Sequence, residues 1–178
     1  MDEFTDILFV TSNKGKIAEA KRALTSFGFN VEPFQINGKL PEIEEIQASD
    51  LATVASDKLR KALSMVDLTA ENLGVMVEDA GFFIEEFDGF PGVFSSYVYK
   101  TLGINGVIKS LENVENRNAK FKCVIGIYLH GNELLFEGEC NGVVSTNIRG
   151  ENGFGYDPIF VPNEGDGRTF SEMKMEEK

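Results

Sequence analysis

Four apolar residues, Ile7-Leu8-Phe9-Val10, run directly into Thr11-Ser12-Asn13-Lys14-Gly15-Lys16, and apolar residues at helical spacing follow. This succession reads as a strand, a polar corner and a helix, and it restricts the chain to folds in which helices pack on a sheet. In such sheets the corner collects ligands, because strand ends and helix N-termini converge there. Thr11, Ser12 and Asn13 carry hydroxyl and amide groups that cap a helix or meet an oxyanion. Gly15 allows close backbone approach, Lys14 and Lys16 add positive charge, and a helix N-terminus itself attracts anions. These six residues leave two readings open: a polyphosphate cradle, or a capped helix start with two solvated lysines.

The rest of the chain extends the α/β pattern. Ile17, Ala20, Leu24 and Phe27 form a stripe that predicts a helix closed by Gly28, and residues 30–34 predict a second strand. Ser49-Asp50 opens a long helix with Leu51, Val54, Ala55, Leu59, Ala62 and Val66 on one face and Asp57, Arg60 and Lys61 on the solvated one. A short apolar strand over 74–77 stops at Glu78-Asp79-Ala80-Gly81, and two helices are predicted over 95–102 and 104–111. From Ala119 to Leu129 the pattern alternates, with Phe121, Cys123, Ile125, Ile127 and Leu129 on one face of a half-buried strand. A Gly131-Asn132 turn would return it as residues 133–140, aligning Leu129 with Leu134, Ile127 with Phe136 and Cys123 with Cys140. A further strand is predicted over 143–148. Alternating strands and helices followed by a hairpin predict a mixed sheet in a single domain over residues 1–178.

Composition removes several classes of function. A net charge of −12 argues against a nucleic-acid groove, which needs a basic face. No apolar run approaches the roughly 20 residues of a membrane span, and the start MDEFTD lacks the basic and apolar parts of a signal peptide. Only two cysteines, Cys123 and Cys140, are present, without a C-x-x-C, which predicts reduced thiols and a cytoplasmic setting. The one histidine, His130, sits in a turn, so Ser-His or Cys-His nucleophile schemes are hard to build and acid–base work falls to carboxylates.

Three more segments carry chemistry. Glu42, Glu44 and Glu45 precede the second helix, either as a solvated cluster or as oxygen ligands for Mg²⁺, which usually takes one or two carboxylates plus phosphate oxygens and water. Glu78-Asp79 ends an apolar strand, where ionised carboxylates seldom continue inward unless paired or metal-bound, and Gly81 then suggests a ligand-binding rim. Gly153-Phe154-Gly155-Tyr156-Asp157-Pro158-Ile159-Phe160 reads as a stacking platform for a base or as a tight turn with core aromatics. The chain has no G-x-x-x-x-G-K-[ST] run, no G-x-G-x-x-G fingerprint and no D-x-D pair.

In their order and spacing, TSNKGK, PEIEEIQ, VEDAGF, GFPGVFSSY and GFGYDPIF resemble the inosine triphosphate pyrophosphatase (XTP/dITP diphosphatase) family, from Ile7 to Lys178. The resemblance implies an elongated, two-lobed α/β fold with a central mixed sheet flanked by helices and a nucleotide cleft between the lobes. It implies a homodimer and Mg²⁺-dependent hydrolysis of ITP, dITP or XTP to the monophosphate and pyrophosphate. By position, Thr11, Ser12, Asn13, Lys14, Gly15 and Lys16 would hold the triphosphate. Glu45 and Asp79 would bind the metal, with Asp79 also the base for the attacking water. Phe154, Gly155, Tyr156 and Asp157 would line the base pocket and Lys178 would touch substrate. Ala80 stands where the family pattern has Ser or Thr. The family pattern continues into a Ser-His-Arg segment that reads the 6-oxo group, whereas this sequence stops at Lys178, which predicts weak discrimination between ITP and ATP. Two other readings stay open: a nucleotide-binding protein of this fold with little turnover, and a pyrophosphatase of broader base preference.

Overall fold

Strand and helix alternate as expected through the first half of the chain. The computed structural model describes residues 4–68 and 72–178, so the acidic start Met1-Asp2-Glu3 lies outside the described residues. In chain order the elements are β1 (Thr5–Phe9), α1 (Lys14–Leu24), β2 (Phe29–Pro33), α2 (Leu51–Leu63), β3 (Leu73–Ile84), β4 (Pro91–Gly92), α3 (Ser95–Thr101), α4 (Gly103–Ser110), β5 (Asn118–Leu129), β6 (Asn132–Val144) and β7 (Phe160–Pro162). The sheet runs β2-β1-β3-β5-β6-β7, with β4 beside β3. β1 is parallel to β2 and β3, whereas β4 is antiparallel to β3 and β7 to β6. The sheet is therefore mixed, as the sequence predicts, and the fold is α/β.

Residues group into two compact units, and β3, β5 and β6 contribute to both. The first comprises residues up to Asp79 together with Val124–Glu137. Here alternate residues of β1 and β3 serve opposite faces, as period-2 geometry dictates. Ile7, Phe9 and Met76 pack with Ile17, Ala20 and Leu24 of α1, and Val10, Val75 and Val77 pack with Leu59 and Ala62 of α2. Ile125, Ile127 and Leu129 share the α1 side as predicted, but Tyr128 packs on the α2 side, so this part of β5 is covered on both faces rather than one. Phe27 leaves the predicted stripe and is 76% exposed, because α1 ends at Leu24 and a 3₁₀ turn over Thr25–Phe27 redirects the chain.

The second unit comprises Ala80–Cys123 and Gly138–Lys178. Phe82, Tyr156 and Phe160 form its aromatic centre, with Phe82 and Tyr156 stacked at 4.6 Å, and Val98, Val107 and Leu111 bring in the two short helices. Arg117 ties the unit together from within. Its guanidinium donates to the carbonyls of Leu111 at 2.7 Å, Val144 at 2.7 Å and Ser145 at 2.8 Å.

Three strand expectations need correction. β3 does not stop at Val77 but continues through Glu78-Asp79-Ala80 to Ile84. A Cβ at Gly81 would lie 2.6 Å from the Gly92 carbonyl oxygen, so glycine is required there by the close approach of β4, not by a ligand rim. The hairpin turn is His130-Gly131, not Gly131-Asn132, with His130 held at φ 48°. A turn placed one residue earlier slides the aligned pairs by two, which leaves every side chain on its face. Phe121 and Cys140 pack against the same core, and both cysteines lie outside any disulfide and are half-buried rather than buried. The strand predicted over 143–148 is the end of β6, which closes at Val144.

Candidate active site

The corner after β1 is built as a capped helix start. Asn13 has extended backbone, and its Oδ1 accepts from the N–H groups of Gly15 at 2.9 Å and Lys16 at 3.4 Å. Thr11 Oγ1 accepts from the Asn13 N–H at 3.1 Å. Thr11 and Asn13 thus serve the helix, Gly15 lies within its first turn, and Ser12 and Lys14 are exposed. Lys16 is different. Its Nζ lies 2.9 Å from Glu78 Oε1, with side chains only 22% and 14% exposed, so it is not a solvated lysine. A cation in a helix's first turn opposes the helix dipole, and the facing carboxylate offsets that cost.

Lys58 of α2 belongs to no motif of the sequence, yet it joins this cluster. Its Nζ lies 2.8 Å from Glu45 Oε1 and donates to the Glu78 carbonyl at 3.4 Å. The signal was present: Lys58 falls four residues after Val54 and four before Ala62, on the border of the buried stripe, where a charge needs a partner. Glu45 itself stands on the irregular segment before α2, which is held by Ile43 in the core and by Lys61 Nζ donating to the Glu44 carbonyl at 2.6 Å. Asp50 caps α2 through the Thr53 N–H at 2.7 Å, as expected.

Asp79 is half-buried among these charges. Burial pushes its carboxyl up to about 6; Lys58 and Lys16 pull it down, while Glu45 and Glu78 push it further up. Two carboxylates and two ammonium groups therefore act on Asp79, whose proton affinity is raised. Such a group suits proton transfer near neutral pH. Carboxylate oxygens of Asp79 and of Glu45, which acts on it, are the hard donors that a divalent cation takes. Among the described residues no three acidic, histidine or cysteine side chains form a ready-made cage, so substrate oxygens and water would complete any metal shell.

In the second unit, the loop from Gly153 to Asp157 divides its two aromatic rings. Phe154 is 51% exposed and free to stack, whereas Tyr156 is 4% exposed and donates its hydroxyl to the Ser95 carbonyl at 2.8 Å. Tyr156 is thus a core residue, and burial pushes its phenol up to about 12. Asp157, 8% exposed, accepts from the Phe154 N–H at 3.2 Å and pairs with Lys178 Nζ at 2.8 Å. Gly153 has φ 79°, and a Cβ there would overlap the Asp157 carboxylate and stand 2.8 Å from Lys178 Nζ. Ala80 follows Asp79 in β3, half-buried, and its methyl offers no hydrogen bond.

The sequence model of the Ham1 family matches residues 7–178. The chain belongs to the Ham1 family. Among relatives, the Pyrococcus horikoshii dITP/XTP pyrophosphatase is 43% identical over 172 residues, covering 97% of this chain and 87% of that protein. The Hyperthermus butylicus dITP/XTP pyrophosphatase is 45% identical, with 97% and 85% covered. Among solved structures, a HAM1 protein from Coxiella burnetii matches with a TM-score of 0.80 at 30% identity, covering 98% of this chain and 89% of that one. The Staphylococcus aureus Ham1 protein matches with a TM-score of 0.77 at 26% identity, covering 97% and 88%. Among the described residues of this Ham1-family chain, no helix is long and apolar enough to cross a membrane.

Proposed function

We propose that this Ham1-family chain hydrolyses dITP, XTP and ITP to the nucleoside monophosphate and pyrophosphate. The observation that carries the reading is Asp79, a half-buried carboxyl held near a pKa of about 6 between Lys16, Lys58, Glu45 and Glu78. Its support from relatives is that chains 43% and 45% identical to it are named dITP/XTP pyrophosphatases.

Hydrolysis of a phosphoanhydride needs charge neutralisation and positioning more than covalent chemistry. Lys16 and Lys58 bind triphosphate oxygens as point charges, and Thr11, Ser12, Asn13, Lys14 and Gly15 shape the corner around them. Asp79, ionised above pH ~6, accepts the proton of the water that attacks the α-phosphorus as pyrophosphate departs. Glu45 and Asp79 would hold Mg²⁺, which when bound neutralises phosphate charge. Phe154 stacks on the purine, Gly155 and Asp157 line its edge and Lys178 contacts substrate, while Tyr156 supports that loop from the core. Ala80 leaves one contact to main chain alone. The reading includes a homodimer and a cytoplasmic setting, with which two cysteines outside any disulfide agree.

The test is pyrophosphate release from dITP, XTP and ITP beside dGTP, ATP and dTTP, with Mg²⁺ present. The three altered purines are expected to exceed the others by at least about tenfold in kcat/KM, a difference of about 1.4 kcal/mol in transition-state binding. Equal turnover of all six would replace this reading with a broader pyrophosphatase, and turnover of none would leave a nucleotide-binding protein.

A further inference from the structure

We infer that Glu78 is a positioning residue that competes with phosphate for Lys16 and so sets how readily the site gives up pyrophosphate. The inference rests on the reading of Lys16 as a phosphate ligand. Glu78 and Lys16 meet at 2.9 Å, on β3 and in the first turn of α1, and both side chains are largely shielded from water. An ammonium has three donors and no acceptor, so the pair leaves Lys16 able to take an oxyanion. That oxyanion must then share the cation with a carboxylate of its own sign.

Like charges at such range repel, and less screening by water makes the repulsion larger. Lys58 stands in a parallel arrangement, its Nζ 2.8 Å from Glu45, but Glu45 is half exposed and its pair is correspondingly more screened. Lys58 also donates to the Glu78 main-chain carbonyl at 3.4 Å, so Glu78 touches both phosphate-binding cations, one through its carboxylate and one through its backbone. Only the first of these contacts depends on the side chain. A site whose lysines were unopposed would hold a polyphosphate product tightly. With each lysine already matched by a carboxylate, the site is kept from trapping its own product.

The experiment uses inorganic pyrophosphate in chelator-treated buffer, with binding followed by calorimetry, so it depends on neither turnover nor metal. Glu78→Gln keeps an oxygen acceptor for Lys16 and removes the charge. It is expected to bind pyrophosphate about tenfold more tightly, a factor equivalent to about 1.4 kcal/mol, and to lower KM for the triphosphate more than it alters kcat. Glu78→Asp, which keeps the charge, is expected to stay within about twofold of the parent. In a Lys16→Met background most of the gain from Glu78→Gln should vanish, because the competition acts through that lysine. If Glu78→Gln proves unstable, Glu78→Ala in the parent and in the Lys16→Met background decides on the same grounds: loss of the carboxylate should tighten pyrophosphate binding only where Lys16 is present. Unchanged or weaker pyrophosphate binding in Glu78→Gln overturns the inference even if dITP is hydrolysed. A gain of equal size with and without Lys16 also overturns it, since Glu78 would then act only through its general field.

Discussion

Asp79→Asn separates the chemical value of this carboxylate from its structural cost, because the amide has nearly the same shape but cannot ionise. In the fold the carboxyl is pushed from 3.8 to about 6, chiefly by burial. A raised carboxyl pKa means that the native state holds its proton more tightly than the unfolded chain does. Stability therefore falls as pH rises from about 4 through about 6, and the cost is fully present above that window. About two units at about 1.4 kcal/mol each give roughly 3 kcal/mol, and solvent screening of a half-exposed group reduces this to about 1–2 kcal/mol. Asn does not bear that cost. In metal-free buffer near pH 8 the variant is expected to be more stable than the parent by that amount, about 3–6 °C in Tm for a chain of this size. Its advantage should shrink as pH falls through about 4 and vanish by pH ~3, where the parent carboxyl is protonated in both states. Hydrolysis of dITP by the same variant should drop by at least about 100-fold, the usual scale of a lost general base. In the parent, activity should rise through pH ~6 as Asp79 ionises. Denaturant or thermal unfolding of both proteins across this range, with kinetics beside it, makes the test. A variant less stable than the parent at pH ~8, or a stability gap that ignores pH, would refute the assignment of a burial cost to Asp79.

Lys16→Ala is expected to weaken triphosphate binding and flatten its salt dependence, since a shielded point charge is lost; affinity titrations at two ionic strengths check this. Gly153→Ala combines a backbone at φ 79° with a Cβ driven into Asp157, so the Asp157–Lys178 pair should break. A loss of about 2 kcal/mol or more is expected, read by urea unfolding, together with a raised KM. Arg117→Leu removes one guanidinium from three carbonyl acceptors, and chemical denaturation should show a loss of at least about 3 kcal/mol.

What sequence reveals here is whatever repeats. The stripe Leu51, Val54, Ala55, Leu59, Ala62 is buried as its spacing predicts, and Asp50 caps it. Periodicity ends β3 too early because Glu78-Asp79-Ala80-Gly81 breaks the apolar run in mid-strand, and local rules are most often broken where a protein acts. The exposed Phe27 and the shifted hairpin turn are boundary effects: a 3₁₀ turn and a histidine at positive φ leave no periodic trace. On the site, residue types at Lys16, Glu45 and Asp79 were legible, but their pairing was not, since Lys16–Glu78 and Lys58–Glu45 join distant parts of the chain. Tyr156 resembles a platform in sequence because an aromatic near glycines looks available; only packing against Phe82 shows that it is not.

The cap at Asn13 has a dynamic consequence. Its side chain already occupies the amides of Gly15 and Lys16, so those protons are protected from exchange before any nucleotide arrives. The corner is not an open nest of amides waiting to be filled. Under the proposed function, its grip on an anion comes from lysine side chains, whose reach is set by the surrounding electrolyte rather than by the backbone. Binding there is then expected to respond to ionic strength, while the helix start takes its hydrogen-bonded shape from Asn13 itself.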